Sequence, residues 1–110
     1  MTLSATSLIN NSVKNPQGED LGDVKDLMVD PATGIVNYAV VSFGGFLGFG
    51  DKLFAIPLQT MTLNTEDKHF ILSESKERLK NAPGFDKDNW PDHADGRWLS
   101  TVNQYYNIAA

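Results

Sequence analysis

Short apolar runs separated by turn signals are the feature that most limits how this sequence can fold. Asn15-Pro16-Gln17-Gly18 and Asp30-Pro31-Ala32-Thr33-Gly34 each place a glycine shortly after a proline, a combination typical of tight turns. Residues 64–68 form a third, polar turn. The runs beside these turns are short and rich in β-branched or aromatic residues, so we predict strands. The predicted strands are Ser12–Lys14, Asp20–Val29, Ile35–Phe43, Leu53–Ile56, Met61–Leu63 and His69–Leu72.

The predicted strand Ile35–Phe43 carries apolar side chains on both of its faces, which is typical of a central strand that is covered on both sides. Gly22 lies inside the strand before it and indicates a bulge or a sharp bend, which the strands of small barrels need in order to close. Six strands at this spacing indicate a small β-barrel or sandwich. We therefore predict a mostly-β fold in which one face of the central strand lines the interior.

Residues 73–110 are predicted to form two short helices around a loop rich in proline and aspartate. Ser73 or Ser75 is suited to cap the first helix, which Pro83 ends by about Asn81. Asp95 is suited to cap the second helix, whose apolar stripe would cover the outer face of the central strand. The stripe is Trp98, Leu99, Val102, Tyr105 and Tyr106. We divide the chain into a flexible N-terminus (1–7), a β-domain (8–72) and a helical C-terminal extension (73–110) packed on it.

Composition excludes several classes of function. The 110 residues include no cysteine, which rules out disulfides and thiolate metal sites. Acidic residues outnumber basic ones by 14 to 9, so the formal net charge is −5 and direct binding to nucleic acid is disfavoured. The first residues lack the pattern of a secretory signal, and no apolar run is long enough to span a membrane. We expect a cytoplasmic protein without membrane insertion.

An ordered series of segments carries a resemblance to a known family. The series begins with Asn15–Gly22, Leu27-Met28-Val29-Asp30 and Thr33-Gly34. It continues with Tyr38-Ala39-Val40-Val41-Ser42, Gly44–Gly48 and Asp51–Pro57. In this order the segments resemble the PRC-barrel family, which is named after the photosynthetic reaction-centre H subunit, over residues 8–72. The tail Leu79–Asp86, with Asn89-Trp90-Pro91, is similar to the extension of stand-alone bacterial members.

The resemblance implies a six-stranded barrel related to SH3-like barrels, with a short α-helical C-terminal extension. Within the family the domain serves as a fused adaptor in the reaction-centre H subunit and in a ribosome-maturation factor. The family shares no set of catalytic residues, so the resemblance assigns none here. The membrane helix of the H subunit and the additional domain of the ribosomal factor have no counterpart in this sequence.

The glycine-rich loop Gly44–Gly50 contains the apolar residues Phe46, Leu47 and Phe49. It is not a phosphate-binding loop, because Asp51 occupies the position of the required lysine and a strand follows it. The three apolar side chains either fold back over the end of the barrel or form an exposed patch, and such patches mark interfaces. We predict an interaction surface that contains these three residues together with Trp90, Tyr105 and Tyr106.

The loop that contains Asp86, Asp88, Asp92 and Asp95, the acidic loop, is a candidate metal site. Asp86-Lys87-Asp88 begins like a calcium loop, but Trp90 occupies the third ligand position. Histidines 69 and 93 are far apart and form no helical pair. No nucleophile motif occurs, and a small barrel is filled by its own side chains. We therefore predict no catalytic residue, no metal and no cofactor.

The function predicted from the sequence is that of a non-catalytic protein-interaction or adaptor module, not an enzyme. We expect self-association as a homodimer, with the identity of any other protein partner open. Two alternatives remain: a small-ligand or ion sensor that uses the acidic loop, and an accessory factor in RNA processing or ribosome maturation. As an accessory factor in ribosome maturation, the protein would bind a basic ribosomal protein rather than contact RNA directly.

Overall fold

The computed structural model describes residues 2–43, 52–86, 90–91 and 96–108. The helices in these residues are α1 (Ala5–Leu8), α2 (Lys76–Lys80) and α3 (Gly96–Tyr105), with a turn of 3-10 helix at Leu58–Thr60. The strands are β1 (Ser12–Lys14), β2 (Asp20–Asp30), β3 (Ile35–Ser42), β4 (Lys52–Ile56), β5 (Met61–Asn64), β6 (His69–Leu72) and β7 (Gly84–Asp86).

All seven strands belong to one sheet, in the order β5-β6-β1-β2-β3-β4-β7. The pair β1–β6 is parallel, and every other neighbouring pair is antiparallel. No ladder in the described residues joins β5 to β7, so the sheet is open there rather than closed. The predicted mostly-β fold is confirmed and all six predicted strands are present. The seventh strand, β7, lies where the sequence predicted a loop.

Two turns fix the start and the end of β2. In the first, the buried side chain of Asn15 accepts a hydrogen bond from the Glu19 amide and donates one to the Glu19 carboxylate, both at 2.9 Å. That hydrogen bond, together with Lys76 Nζ at 3.1 Å, lowers the pKa of Glu19. In the second turn, the amide of Gly34, at φ 77°, donates to the Asp30 carbonyl at 2.8 Å. The turn chemistry expected from the sequence is thus present at both ends of β2.

Gly22 allows β2 to bend between its two neighbours. The register between β1 and β2 shifts next to it, so that Val13 pairs with Gly22 and Lys14 with Asp20. The backbone of Gly22 has φ 146°, which side-chain-bearing residues rarely adopt. A Cβ atom at this position would lie 2.1 Å from the carbonyl oxygen of Ser42. The bend predicted at Gly22 is confirmed, and it depends on the absence of a side chain.

The core runs along the middle of the sheet and includes the C-terminal extension. Residues 38–41 of β3 are all buried, which confirms that both faces of this strand are covered. From the extension, Leu79, Phe85, Val102 and Tyr106 join the same core cluster. Ser75 caps α2 by accepting a hydrogen bond from the Arg78 amide at 3.1 Å. In this structure the extension contributes side chains to the core cluster and adds β7 to the sheet.

The ends of the chain add two observations. Part of the N-terminal segment 1–7 lies in α1, whose N-cap is Ser4, and the predicted flexibility of this segment remains a prediction. Asp95, the predicted cap of α3, lies outside the described residues. Among the helices that the structure describes, none has the length and apolar character needed to cross a membrane.

Candidate interaction surface

The hairpin of β2 and β3 extends beyond the strands that flank it. β1 pairs with β2 only from Asp20 to Asp23, and β4 pairs with β3 only from Ala39 to Ser42. The hairpin itself continues until Asp30 pairs with Ile35. Residues 26–38 therefore form a two-stranded ribbon with no further strand of the described sheet beside it, and we call these residues the distal ribbon.

The register of the hairpin divides the side chains of the distal ribbon between two faces. Directly paired residues share a face, and successive residues of a strand alternate between faces. Bulges at Lys25 and Asn37 shift the register, so a simple alternation along β3 does not apply. One face, the apolar face, holds Leu27, Val29 and Val36. The opposite face, the acidic face, holds Asp26, Met28, Asp30, Ile35 and the buried Tyr38.

Both faces are buried near the flanking strands and exposed at the turn. Ala39 and Val40, which pair with Leu27 and Asp26, are fully buried. Near the turn, Val29 is 51% exposed and Ile35 is 59% exposed. The apolar face is thus a continuation of the protein core into solvent, without a charged residue on it. On this face Val29 is exposed, and Leu27 and Val36 beside it are half-buried.

The aspartates of β2 form no ion pair with any side chain that the structure describes. The ion pairs in the described residues are Lys52–Asp86 at 3.7 Å, Lys76–Glu19 at 3.1 Å and Arg78–Glu74 at 3.4 Å. None of them includes an aspartate of β2. Three of these aspartates accept a local backbone hydrogen bond: Asp20 from the Gly22 amide at 3.1 Å, Asp26 from the Leu27 amide at 2.8 Å and Asp30 from the Ala32 amide at 2.9 Å. The last two contacts hold the carboxylates of Asp26 and Asp30 in place on the acidic face.

The interaction surface predicted from the sequence is only partly visible. Phe46, Leu47 and Phe49 lie outside the described residues. Trp90 is 41% exposed, and its ring centroid lies 5.0 Å from that of Phe85. The structure thus places Trp90 near β7, at the opposite edge of the sheet from β5.

The two predicted tyrosines differ in their contacts: Tyr105 joins α3 to α2, and Tyr106 lies in the core. The guanidinium carbon of Arg78 lies 4.1 Å from the ring centroid of Tyr105, and each residue donates a side-chain hydrogen bond to the other's backbone carbonyl. Tyr106 is 7% exposed and lies in the core, where burial raises the pKa of its phenol far above the ordinary value. In this structure both tyrosines make internal contacts, and their predicted part in binding has not been tested.

The predictions about metals and pockets concern other parts of the surface. In the described part of the chain, no three acidic or histidine side chains lie close enough to share a metal ion. Asp86 pairs with Lys52, while Asp88, Asp92, His93 and Asp95 lie outside the described residues.

A groove of about 350 Å³ beside α1 carries one charged group. Its lining residues are Leu3, Ser7, Leu8, Asn11, Leu63, Thr65 and Lys68.

Sequence reasoning assigned Val29 and Ile35 to strands but did not select them as surface residues. Their position offered one signal: both lie directly beside the Asp30–Gly34 turn, where a hairpin is least covered by other strands. Apolar residues at such positions on both strands are candidates for exposure.

Comparison with known proteins places this fold in a family. No curated protein sequence matches the chain. The family model of the PRC-barrel domain matches residues 1–79, which cover β1 to β6 and most of α2. This match agrees with the resemblance found in the sequence and with the mostly-β sheet. The chain belongs to the PRC-barrel domain family.

Proposed function

We propose that this protein is a non-catalytic protein-interaction module of the adaptor type, and that it self-associates through the apolar face of the distal ribbon. The observation that supports the proposal is the exposure of Val29, at 51%, on an uncharged face that continues into the core. PRC-barrel domains are generally non-catalytic, which agrees with a binding role.

Charge favours the apolar face over other parts of the surface as the site of self-association. Each chain carries a formal net charge of −5, so two copies repel one another, and the repulsion is weakest where the contact contains no carboxylate. Leu27, Val29 and Val36 allow such a contact because the aspartates of the ribbon lie on the opposite face. A contact formed by these three side chains buries little surface compared with the roughly 1,200–2,000 Å² that stable complexes bury in total. We therefore expect weak, concentration-dependent dimerisation.

Light scattering over a range of protein concentrations tests this proposal. We expect the molar mass to rise from 12.1 kDa towards twice that value for the unmodified chain. The substitution Val29→Ser should keep the mass at that of a monomer, because it removes the exposed apolar side chain from the contact. Leu3→Ser is the matched control, since Leu3 is 45% exposed but lies outside the distal ribbon. A chain that stays monomeric at every concentration, or a Val29→Ser variant that dimerises normally, would contradict the proposal.

The alternatives from the sequence remain predictions. The sensor hypothesis depends on the acidic loop, much of which lies outside the described residues. The role as an accessory factor in ribosome maturation and the cytoplasmic location are likewise untested.

A further inference from the structure

We propose that the acidic face of the distal ribbon binds a lysine- or arginine-rich segment of a partner protein, with an apolar side chain of that segment packed against Ile35. The proposal rests on the proposed function as an interaction module, but it uses the face opposite to the self-association contact. The two faces together would allow the protein to connect its own dimer to a second protein.

The charge of β2 identifies the chemistry of the partner. The strand carries Asp20, Asp23, Asp26 and Asp30 against a single cation, Lys25. In the part of the chain that the structure describes, none of these aspartates takes part in an ion pair. A strand with this excess of carboxylates attracts a cationic partner.

The geometry of the acidic face sets the spacing of the cations. Asp23, Asp26 and Asp30 share this face through their pairing with Ser42, Val40 and Ile35. At the rise of an extended strand, Asp26 and Asp30 are about 13 Å apart, which matches basic residues four positions apart in an extended segment. The Oδ1 atom of each accepts a backbone hydrogen bond, so both carboxylates are oriented before the partner arrives.

An apolar contact lies beside these charges. Ile35 is the cross-strand partner of Asp30 and is 59% exposed, the largest exposure among the large apolar side chains of the described residues. Met28, on the same face between the two aspartates, is half-buried against the core. An apolar side chain that lies between two basic residues of the partner would cover both Ile35 and Met28. This combination favours an amphipathic basic segment over a simple cation.

Charge also separates this partner from the other occupants of the face. A second copy of the chain would place aspartates against aspartates, and the phosphates of a nucleic acid would be repelled in the same way. A basic protein segment is attracted, and its binding is expected to weaken as salt screens the charges.

Fluorescence anisotropy with the full chain tests the proposal. The probe is a short labelled peptide with lysines four positions apart and a leucine midway between them, so that an extended chain places all three side chains on one face. It is compared with a peptide in which glutamate replaces lysine and one in which serine replaces leucine. The double variant Asp26→Asn with Asp30→Asn keeps the backbone hydrogen bonds and removes two charges. The control Glu66→Gln with Asp67→Asn removes two charges from the exposed β5–β6 turn. Circular dichroism checks that each variant is folded.

We expect the lysine–leucine peptide to bind and the glutamate–leucine peptide not to bind. The ribbon double variant should weaken binding about tenfold, and the turn double variant less than twofold. Ile35→Ser should reduce binding of the leucine peptide but not of the serine peptide. Equal losses in the two double variants would show a response to net charge alone and would overturn the proposal.

The two proposals fail separately, because the light-scattering experiment does not depend on the peptide. If the ribbon double variant still dimerises but binds the peptide as well as the unmodified chain does, the acidic-face proposal is overturned and the interaction module stands. If the peptide binds as expected but the chain never dimerises, self-association is overturned and the acidic face stands.

Discussion

Adding a single methyl group at Gly22 is expected to destabilise the fold strongly. A Cβ atom there would lie 2.1 Å from the carbonyl oxygen of Ser42. This oxygen belongs to the backbone, so it cannot move aside as a flexible side chain could. The φ of 146° adds strain for any residue with a side chain. We expect Gly22→Ala to lower the free energy of unfolding by about 3 kcal/mol or more, measured by urea denaturation.

Gly96 provides the control for that substitution. It begins α3, and a Cβ atom there would meet nothing within 4 Å. Gly96→Ala should therefore leave stability unchanged or raise it by up to about 1 kcal/mol, because alanine favours the helix. If Gly22→Ala and Gly96→Ala lower the free energy of unfolding equally, the close approach of β2 to Ser42 is not the reason that position 22 requires glycine.

At the scale of elements, the contact between α2 and α3 depends on the pair Arg78 and Tyr105. Tyr105→Phe keeps the ring under the guanidinium group but removes the hydroxyl that donates to the Arg78 carbonyl. We expect it to cost about 1 kcal/mol of unfolding free energy. Arg78→Ala should cost more, because it removes the ring contact, the guanidinium hydrogen bond to the Tyr105 carbonyl and the ion pair with Glu74.

Hydrogen exchange of the α3 amides measures this effect where it arises. Both variants should exchange faster in α3 than the unmodified chain does. Thr101→Ala is the control, since Thr101 lies on the exposed side of the same helix and its hydroxyl donates to the Arg97 carbonyl within that helix. Faster exchange in Thr101→Ala by the same factor would point to the helix itself rather than to its contact with α2.

The sequence predicted those elements whose ends carry strong local signals. Asp30 and Gly34 defined the hairpin turn, and Ser75 was one of two serines named as the cap of α2. Strand β7 was missed because three residues with one apolar side chain cannot show a period, and it forms only by pairing with β4. The two faces of the distal ribbon could not be predicted either, because the bulges at Lys25 and Asn37 become visible only in the pairing.

At the scale of the whole molecule, the C-terminal extension supplies side chains to the core and a strand to the sheet. Leu79 and Val102 are fully buried, and Phe85 lies on a strand of the sheet. We expect a chain shortened after Leu72 to lose cooperative unfolding, because β4 loses its outer neighbour and core side chains become exposed. Circular dichroism during urea denaturation checks this. A sharp transition at the same midpoint would show that residues 1–72 fold independently.

The parallel pairing of β1 with β6 has a consequence for the order in which the molecule assembles. Ser12 pairs with His69 across more than half of the chain, so the first strand cannot reach this partner until the sixth has been synthesised. Pairings between such distant segments carry a large entropic cost of loop closure, and they slow folding. During translation the β2–β3 hairpin can form early from neighbouring residues. The newly made chain would then expose both faces of that hairpin before the rest of the sheet exists.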